Sequence, residues 1–161
     1  MKHNKKHKKI RRTALKVDKL IRARRGNRFP SKKIIELELQ KYHKISSYVG
    51  SGKYKKVFHI KATEKDLALK VGKADDIKRD WKLYKYAKKK RFADRYFAKI
   101  YWHTTYCMLQ KFGVKEPIPP EIQRDLKRRL NAIGLRDVGL SSDRNIRCFK
   151  GKFKIIDASF S

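Results

Sequence analysis

Lysine and arginine outnumber aspartate and glutamate 46 to 15, a formal net charge of +31 on 161 residues. Repulsion on that scale opposes compaction, so a folded domain with this excess calls for a polyanion that offsets it. Nucleic acid is the first partner to expect and an anionic membrane surface the second. No run of about 18 apolar residues and no signal-peptide core occurs, so neither membrane spanning nor secretion is expected. The two cysteines, Cys107 and Cys148, each sit in an apolar strand-like run without histidine or cysteine at metal spacing. They read as reduced core residues with no disulfide partner, which together points to a cytoplasmic protein. The length suits one domain, or one small domain with an extension.

Residues 1–12 are almost all charged and read as a mobile arm. Thr13 is the expected N-cap of a basic helix ending near Gly26, with Leu15, Val17, Leu20 and Ile21 as its apolar stripe. A second helix is predicted from Pro30-Ser31, and both are expected to pack on the following sheet through Leu15, Leu20, Ile34 and Leu39. Residues 45–60 and 66–71 read as three strands, 77–90 as a helix, and 95–102 and 105–110 as two further strands. Pro120 or Glu121 opens a last helix that stops at Gly134.

Within this order lie three motifs that carry chemistry. Gly50 and Gly52, in Tyr48-Val49-Gly50-Ser51-Gly52-Lys53-Tyr54-Lys55-Lys56-Val57, allow a backbone to approach phosphate where a side chain would block it. Lys70, flanked by Leu69 and Val71, ends a strand and is expected to face a cleft, with Ala68 facing away. Asn145 and Asp157 stand on the two arms of one predicted hairpin that turns at Gly151, so their oxygens are offered to one cation.

These motifs, in this order over residues 45–161, resemble the protein-kinase-like fold with its glycine loop, V-A-I-K lysine, catalytic-loop Asn and D-F-G Asp. Lys55 stands where the third glycine falls, and the chain ends four residues past Asp157, without an activation segment or peptide platform. RIO-type kinases and the Bud-type kinase of the KEOPS complex trim the same region, and the archaeal tRNA 2′-hydroxyl kinase type is the most similar. The resemblance implies an α+β fold: a five-stranded antiparallel amino lobe over residues 45–110, a strongly shortened carboxyl lobe over 114–161, and a basic helical extension over 1–44. It implies ATP and Mg²⁺, with Gly50, Ser51, Gly52, Lys53, Val57 and Lys70 around the nucleotide. Asp80 orients Lys70, and Asn145 and Asp157 hold the metal. In the family an Asp lies five positions before the Asn, and here that position is Leu140. Asp137, in the Arg136-Asp137-Val138 context, is the first choice of general base and Asp143 the second.

The implied activity is an ATP-dependent RNA kinase acting on a structured RNA, tRNA first and rRNA second. A non-catalytic RNA-binding pseudokinase, such as a ribosome-associated protein, is the alternative, and a RIO-like serine/threonine kinase the third reading. For the RNA backbone the sequence offers Lys19, Arg22, Arg24, Arg25 and Arg28 in the first helix and the turn beyond it. Lys88, Lys89, Lys90, Arg128 and Arg129 offer a second set, and Tyr54, Tyr84, Tyr86 and Trp102 are candidates for base stacking. If about six phosphates are neutralised, RNA affinity falls by roughly three decades between about 50 and 200 mM salt. Fluorescence anisotropy of a labelled tRNA across that range checks it, and a flat profile removes the phosphate backbone as the main contact.

Overall fold

A computed structural model describes residues 5–24, 29–43, 46–51, 55–61, 66–136 and 145–160. The chain divides into two compact units, Met1–Lys78 with Tyr101–Lys111, and Arg79–Ile100 with Phe112–Ser161.

The first unit opens with α1, Lys5–Ala23. Helix thus begins at Lys5, not Thr13, and takes in most of the stretch read as a mobile arm. The reason is Ile10, which with Ala14 and Val17 sits at i, i+4 and i+7 and gives the charged segment a buried stripe. Thr13 lies inside the helix, where its hydroxyl donates to the Lys9 carbonyl at 3.1 Å instead of capping. Leu15, expected to pack inward, is 47% exposed. In α2, Lys32–Gln40, Ser31 is the N-cap and accepts from the Ile34 amide, while Ile35 and Leu39 are the buried residues.

Five strands follow: β1 (Ser46–Ser51), β2 (Lys55–Lys61), β3 (Asp66–Gly72), β4 (Ile100–His103) and β5 (Cys107–Lys111). They form one sheet in the order β1-β2-β3-β5-β4. The β1/β2, β2/β3 and β3/β5 pairs are antiparallel. Alternation along the strands gives this sheet two unlike faces. Phe58, Ile60, Leu67, Leu69, Val71, Cys107 and Leu109 join Ile10, Ala14, Val17, Ile35 and Leu39 in one apolar cluster, so α1 and α2 cover one face. The other face carries Lys55 and Val57 of β2, Ala68 and Lys70 of β3, and Met108 and Gln110 of β5. Ala68 therefore shares the face of Lys70, as residues two apart in a strand must, and does not point away from it.

Strand was expected over residues 95–102, but only its second half is strand. Residues Ala93–Tyr96 make a single helical turn, α4. Phe92, Tyr96 and Phe97 pack together, with centroids 4.9 Å apart for Phe92–Tyr96 and 5.9 Å for Phe92–Phe97. A turn of helix brings Phe92 and Tyr96, four residues apart, into contact, and that packing outweighs the strand preference of the aromatics.

The second unit contains most of α3 (Ala74–Lys89), α4, and α5 (Pro120–Ala132). Gly134 ends α5 at a φ of 83°, where the Tyr86 hydroxyl also donates to the Ile133 carbonyl. A short antiparallel pair joins β6 (Leu135–Arg136) to β9 (Ser159–Phe160). Between them in sequence, β7 (Ile146–Phe149) and β8 (Lys152–Ile155) form a hairpin whose turn, Lys150-Gly151, has positive φ at both residues. Both cysteines are free and buried, Cys107 in β5 and Cys148 in β7. Burial is the main reason the Cys107 thiol is pushed well above its usual pKa, which leaves it a poor nucleophile.

Asp18 of α1 is 3% exposed and binds the β4–β5 turn. Its carboxylate accepts from the Thr104 hydroxyl at 3.0 Å, the Tyr106 amide at 3.1 Å and the Thr105 amide at 3.3 Å. Removing it would leave the buried Thr104 hydroxyl and the part-buried Thr105 and Tyr106 amides without their acceptor, so Asp18→Ala should cost about 2 kcal/mol. A lowered urea midpoint with an unchanged slope is the expected result, with Asp18→Asn falling between. His43, after α2, makes a 2.8 Å hydrogen bond with Thr13. Burial first, and the nearby Lys9 charge second, hold its pKa below the ordinary 6.5. The folded protein then binds fewer protons than the unfolded chain, so the stability of this contact is complete above about pH 6.5 and is lost as pH falls toward the depressed value. Urea midpoints at pH 7.5 and pH 5.5 should differ in that sense, and His43→Gln should shrink the difference.

Candidate functional site

On the sheet face away from α1 and α2, one row of residues runs across four strands. Gly50 of β1 pairs with Val57 of β2, Val57 pairs with Lys70 of β3, and Lys70 pairs with Met108 of β5. A register shift between Tyr48 and Gly50 sets the glycine into this row. Lys70 is 4% exposed, and Met108 and Gln110 beside it are fully enclosed. Lysine is rarely held so deeply without a task or a counter-charge. Val57, from the set read as surrounding the nucleotide, is thus the direct neighbour of Lys70. Gly50 and Ser51 are described as backbone of β1, while Gly52 and Lys53 lie outside the described residues.

Asp80, expected to orient Lys70, sits on α3 and is buried. It has a companion that the sequence reading passed over. Asp76, four residues earlier, is buried as well, so one face of α3 carries two enclosed carboxylates followed by Leu83, Tyr84 and Ala87. The helical spacing of Asp76 to Asp80 was the signal available in the sequence. Asp76 lies in the first turn of α3, a position that favours a negative charge.

In the second unit, Asn145 and Asp157 flank the open end of the β7–β8 hairpin. Ile146 pairs with Ile155, and the Ile156 amide donates to the Asn145 carbonyl at 2.8 Å. Pairing therefore continues one step past the strand ends and brings Asn145 alongside Ile156-Asp157. Both side chains are half-buried. The hairpin is held from outside by a bridge between Val114 and Cys148 and by the Ala98 amide donating to the Ile155 carbonyl at 2.8 Å. Gly113 is needed for that approach: a Cβ there would sit 2.6 Å from the Phe149 ring and 2.8 Å from Arg147 Cβ.

An amide oxygen and a carboxylate are hard donors, the kind Mg²⁺ takes when it keeps several waters and binds substrate phosphates. Among the described residues no group of three or more His, Cys, Asp or Glu is arranged around a common metal position. Asp137 and Asp143, the two choices for a general base, lie outside the described residues, as does Leu140.

Of the cationic residues proposed for RNA, Lys19 and Arg24 are exposed on and just beyond α1. Arg22 donates to the Thr105 hydroxyl at 2.8 Å, on the turn that Asp18 binds. Arg25 and Arg28 lie outside the described residues. Lys88, Lys89 and Lys90 are exposed at the end of α3, with the Lys90 ammonium 5.7 Å from the Tyr86 ring centre. Arg128 and Arg129 both bind Asp125, at 2.8 Å and 2.9 Å, and pull its carboxyl below the usual range, Arg128 most. Among the aromatics considered for stacking, Tyr84 is buried and Trp102 packs against the core cluster, Tyr86 is held by its hydroxyl, and Tyr54 lies outside the described residues. No described helix is long and apolar enough to cross a membrane.

No family model matches this chain, and no curated protein does. Among solved structures it is similar to the ternary complex of streptomycin and ATP with APH(2")-IIa, at 21% identity and a TM-score of 0.38. The likeness covers 63% of this chain and only 35% of that one. At so loose a similarity, the fold rests on the sheet order and register described above.

Proposed function

We propose that this protein is an ATP-dependent phosphotransferase that transfers the γ-phosphate to a hydroxyl of a structured RNA, tRNA foremost. The observation that carries the reading is the enclosed Lys70, set in one row with Gly50 and Val57 on a sheet face that α1 and α2 leave to other uses. In this reading Lys70 holds the α- and β-phosphates, Val57 lies against the base, and the Gly50-Ser51-Gly52-Lys53 segment covers the phosphates. Asp80 keeps the Lys70 ammonium in place. Asn145 and Asp157 hold Mg²⁺, which when bound neutralises charge on the phosphate oxygens. Asp137, or failing it Asp143, accepts the proton of the attacking hydroxyl. Phosphoryl transfer depends on orientation more than on covalent chemistry, so in this reading the cationic side chains serve to hold and orient the acceptor. A charge of +31 suits an acceptor that is itself a polyanion.

The second reading, a non-catalytic RNA-binding protein, is favoured by one residue. Leu140 occupies the place of the family's catalytic Asp and cannot accept a proton. The two readings separate on turnover. Lys70→Met and Asp157→Ala should each lower Mg-dependent transfer from γ-labelled ATP to tRNA by about a hundredfold or more, the usual loss for a phosphate-stabilising group. RNA affinity should change less than about twofold, since neither residue belongs to the basic surface. Wild-type protein that binds ATP and RNA but labels neither RNA nor protein would establish the non-catalytic reading instead.

A further inference from the structure

The sequence replaces the third glycine of the phosphate loop with Lys55. A long cationic side chain at that position would ordinarily be expected to swing into water. The structure puts it elsewhere. Lys55 is 8% exposed, one of two lysines among the described residues that are buried, the other being Lys70.

Register explains how the two are related. Lys55 pairs with Gly72 and Val57 pairs with Lys70, so Lys55 and Lys70 are diagonal neighbours on one face of the β2–β3 ladder. Diagonal side chains of that kind start roughly 7–8 Å apart, within reach of one polyphosphate chain for residues as long as lysine. Gly72 contributes no side chain opposite Lys55, which leaves its length free to lie along the sheet. Gly72 is itself pinned by donating its amide to the Tyr106 carbonyl at 3.0 Å.

From this placement, and resting on the nucleotide reading above, we propose that Lys55 is a second phosphate-binding residue, so that the nucleotide's phosphates are held by a two-lysine clamp. In a glycine-rich loop the third glycine permits close backbone approach. Here a fixed ammonium takes over that duty, and the site gains affinity for the phosphate chain specifically, not for the nucleoside.

The test compares ligands that share a base and differ in phosphates. Lys55→Met should weaken ATP binding by about tenfold in calorimetry, a typical effect of one charge-assisted contact, and leave adenosine binding unchanged. Lys55→Arg should restore a good part of the loss. Equal losses for ATP and adenosine would mean a structural role, and unchanged ATP affinity would mean no role; either result overturns the proposal. A second measurement uses the wild-type chain. An acyl-phosphate derivative of ATP transfers its acyl group to lysines beside the phosphates, and digestion with mass spectrometry locates them. Labelling of both Lys55 and Lys70, blocked by excess ATP, is expected. Labelling of Lys70 without Lys55 refutes the clamp while sparing the nucleotide reading, and labelling of neither, with no calorimetric ATP binding, refutes both.

Discussion

A β-sheet has two faces, and a chain this rich in cations has few apolar residues with which to cover them. The first unit solves this by burying one face completely. Ile10, Ala14 and Val17 of α1, with Ile35 and Leu39 of α2, close over Phe58, Ile60, Leu67, Leu69, Val71, Cys107 and Leu109. The rest of the arrangement follows from that choice. With stability drawn from one face, the other is released from apolar duty and can carry two lysines and a glutamine in enclosed positions. The helices that seem at first to be an appendage are thus half of the core on which the sheet depends. Cutting them away would expose that face, so folding would suffer along with the cationic residues that α1 carries.

What could be read from the residues and what could not divides along physical lines. Strands β1, β2, β3 and β5 announced themselves through apolar and aromatic runs between turns, and α2 through Pro30-Ser31 followed by its apolar positions. The β7–β8 hairpin was legible because Lys150-Gly151 is a turn that favours positive φ and because Asn145 and Asp157 bracket it. The start of α1 was not legible. A block of lysines carries a strong signal for repulsion, and one isoleucine within it carries a weak signal for burial; the sheet it docks against decides the matter, and that sheet lies far along the chain. The same holds for Leu15, whose neighbours Ala14 and Val17 proved to be the inward pair. Smallness, not hydrophobicity, fits a helix close against a sheet.

The candidate site was partly legible for a related reason. Lys70 was singled out by its place in the order of motifs, on the strand after the glycine loop, because in so lysine-rich a chain a lysine beside apolar residues is no signal by itself; its burial came from the structure. Lys55 was passed over as a mere replacement of glycine, because its orientation depends on pairing with Gly72 and not on any local pattern. Asp76 was likewise hidden by its ordinary appearance as a first-turn acid of α3. Asp18 is the clearest case. Nothing near it in the sequence marks it, since the groups it satisfies are Thr104, Thr105 and Tyr106.

That separation in sequence has a consequence for how the protein is made. The carboxylate of Asp18 and the turn it holds are 86 to 88 residues apart. At roughly 5–20 residues per second, a ribosome needs on the order of 5 to 20 s to synthesise the stretch between them. For that interval α1 has left the site of synthesis without the surface that will bury it, as a basic segment with an uncovered apolar stripe. Over that interval the repulsion among its cationic side chains acts on a segment whose burial has to wait for the sheet, so the charge resists collapse longest where the apolar stripe is least protected.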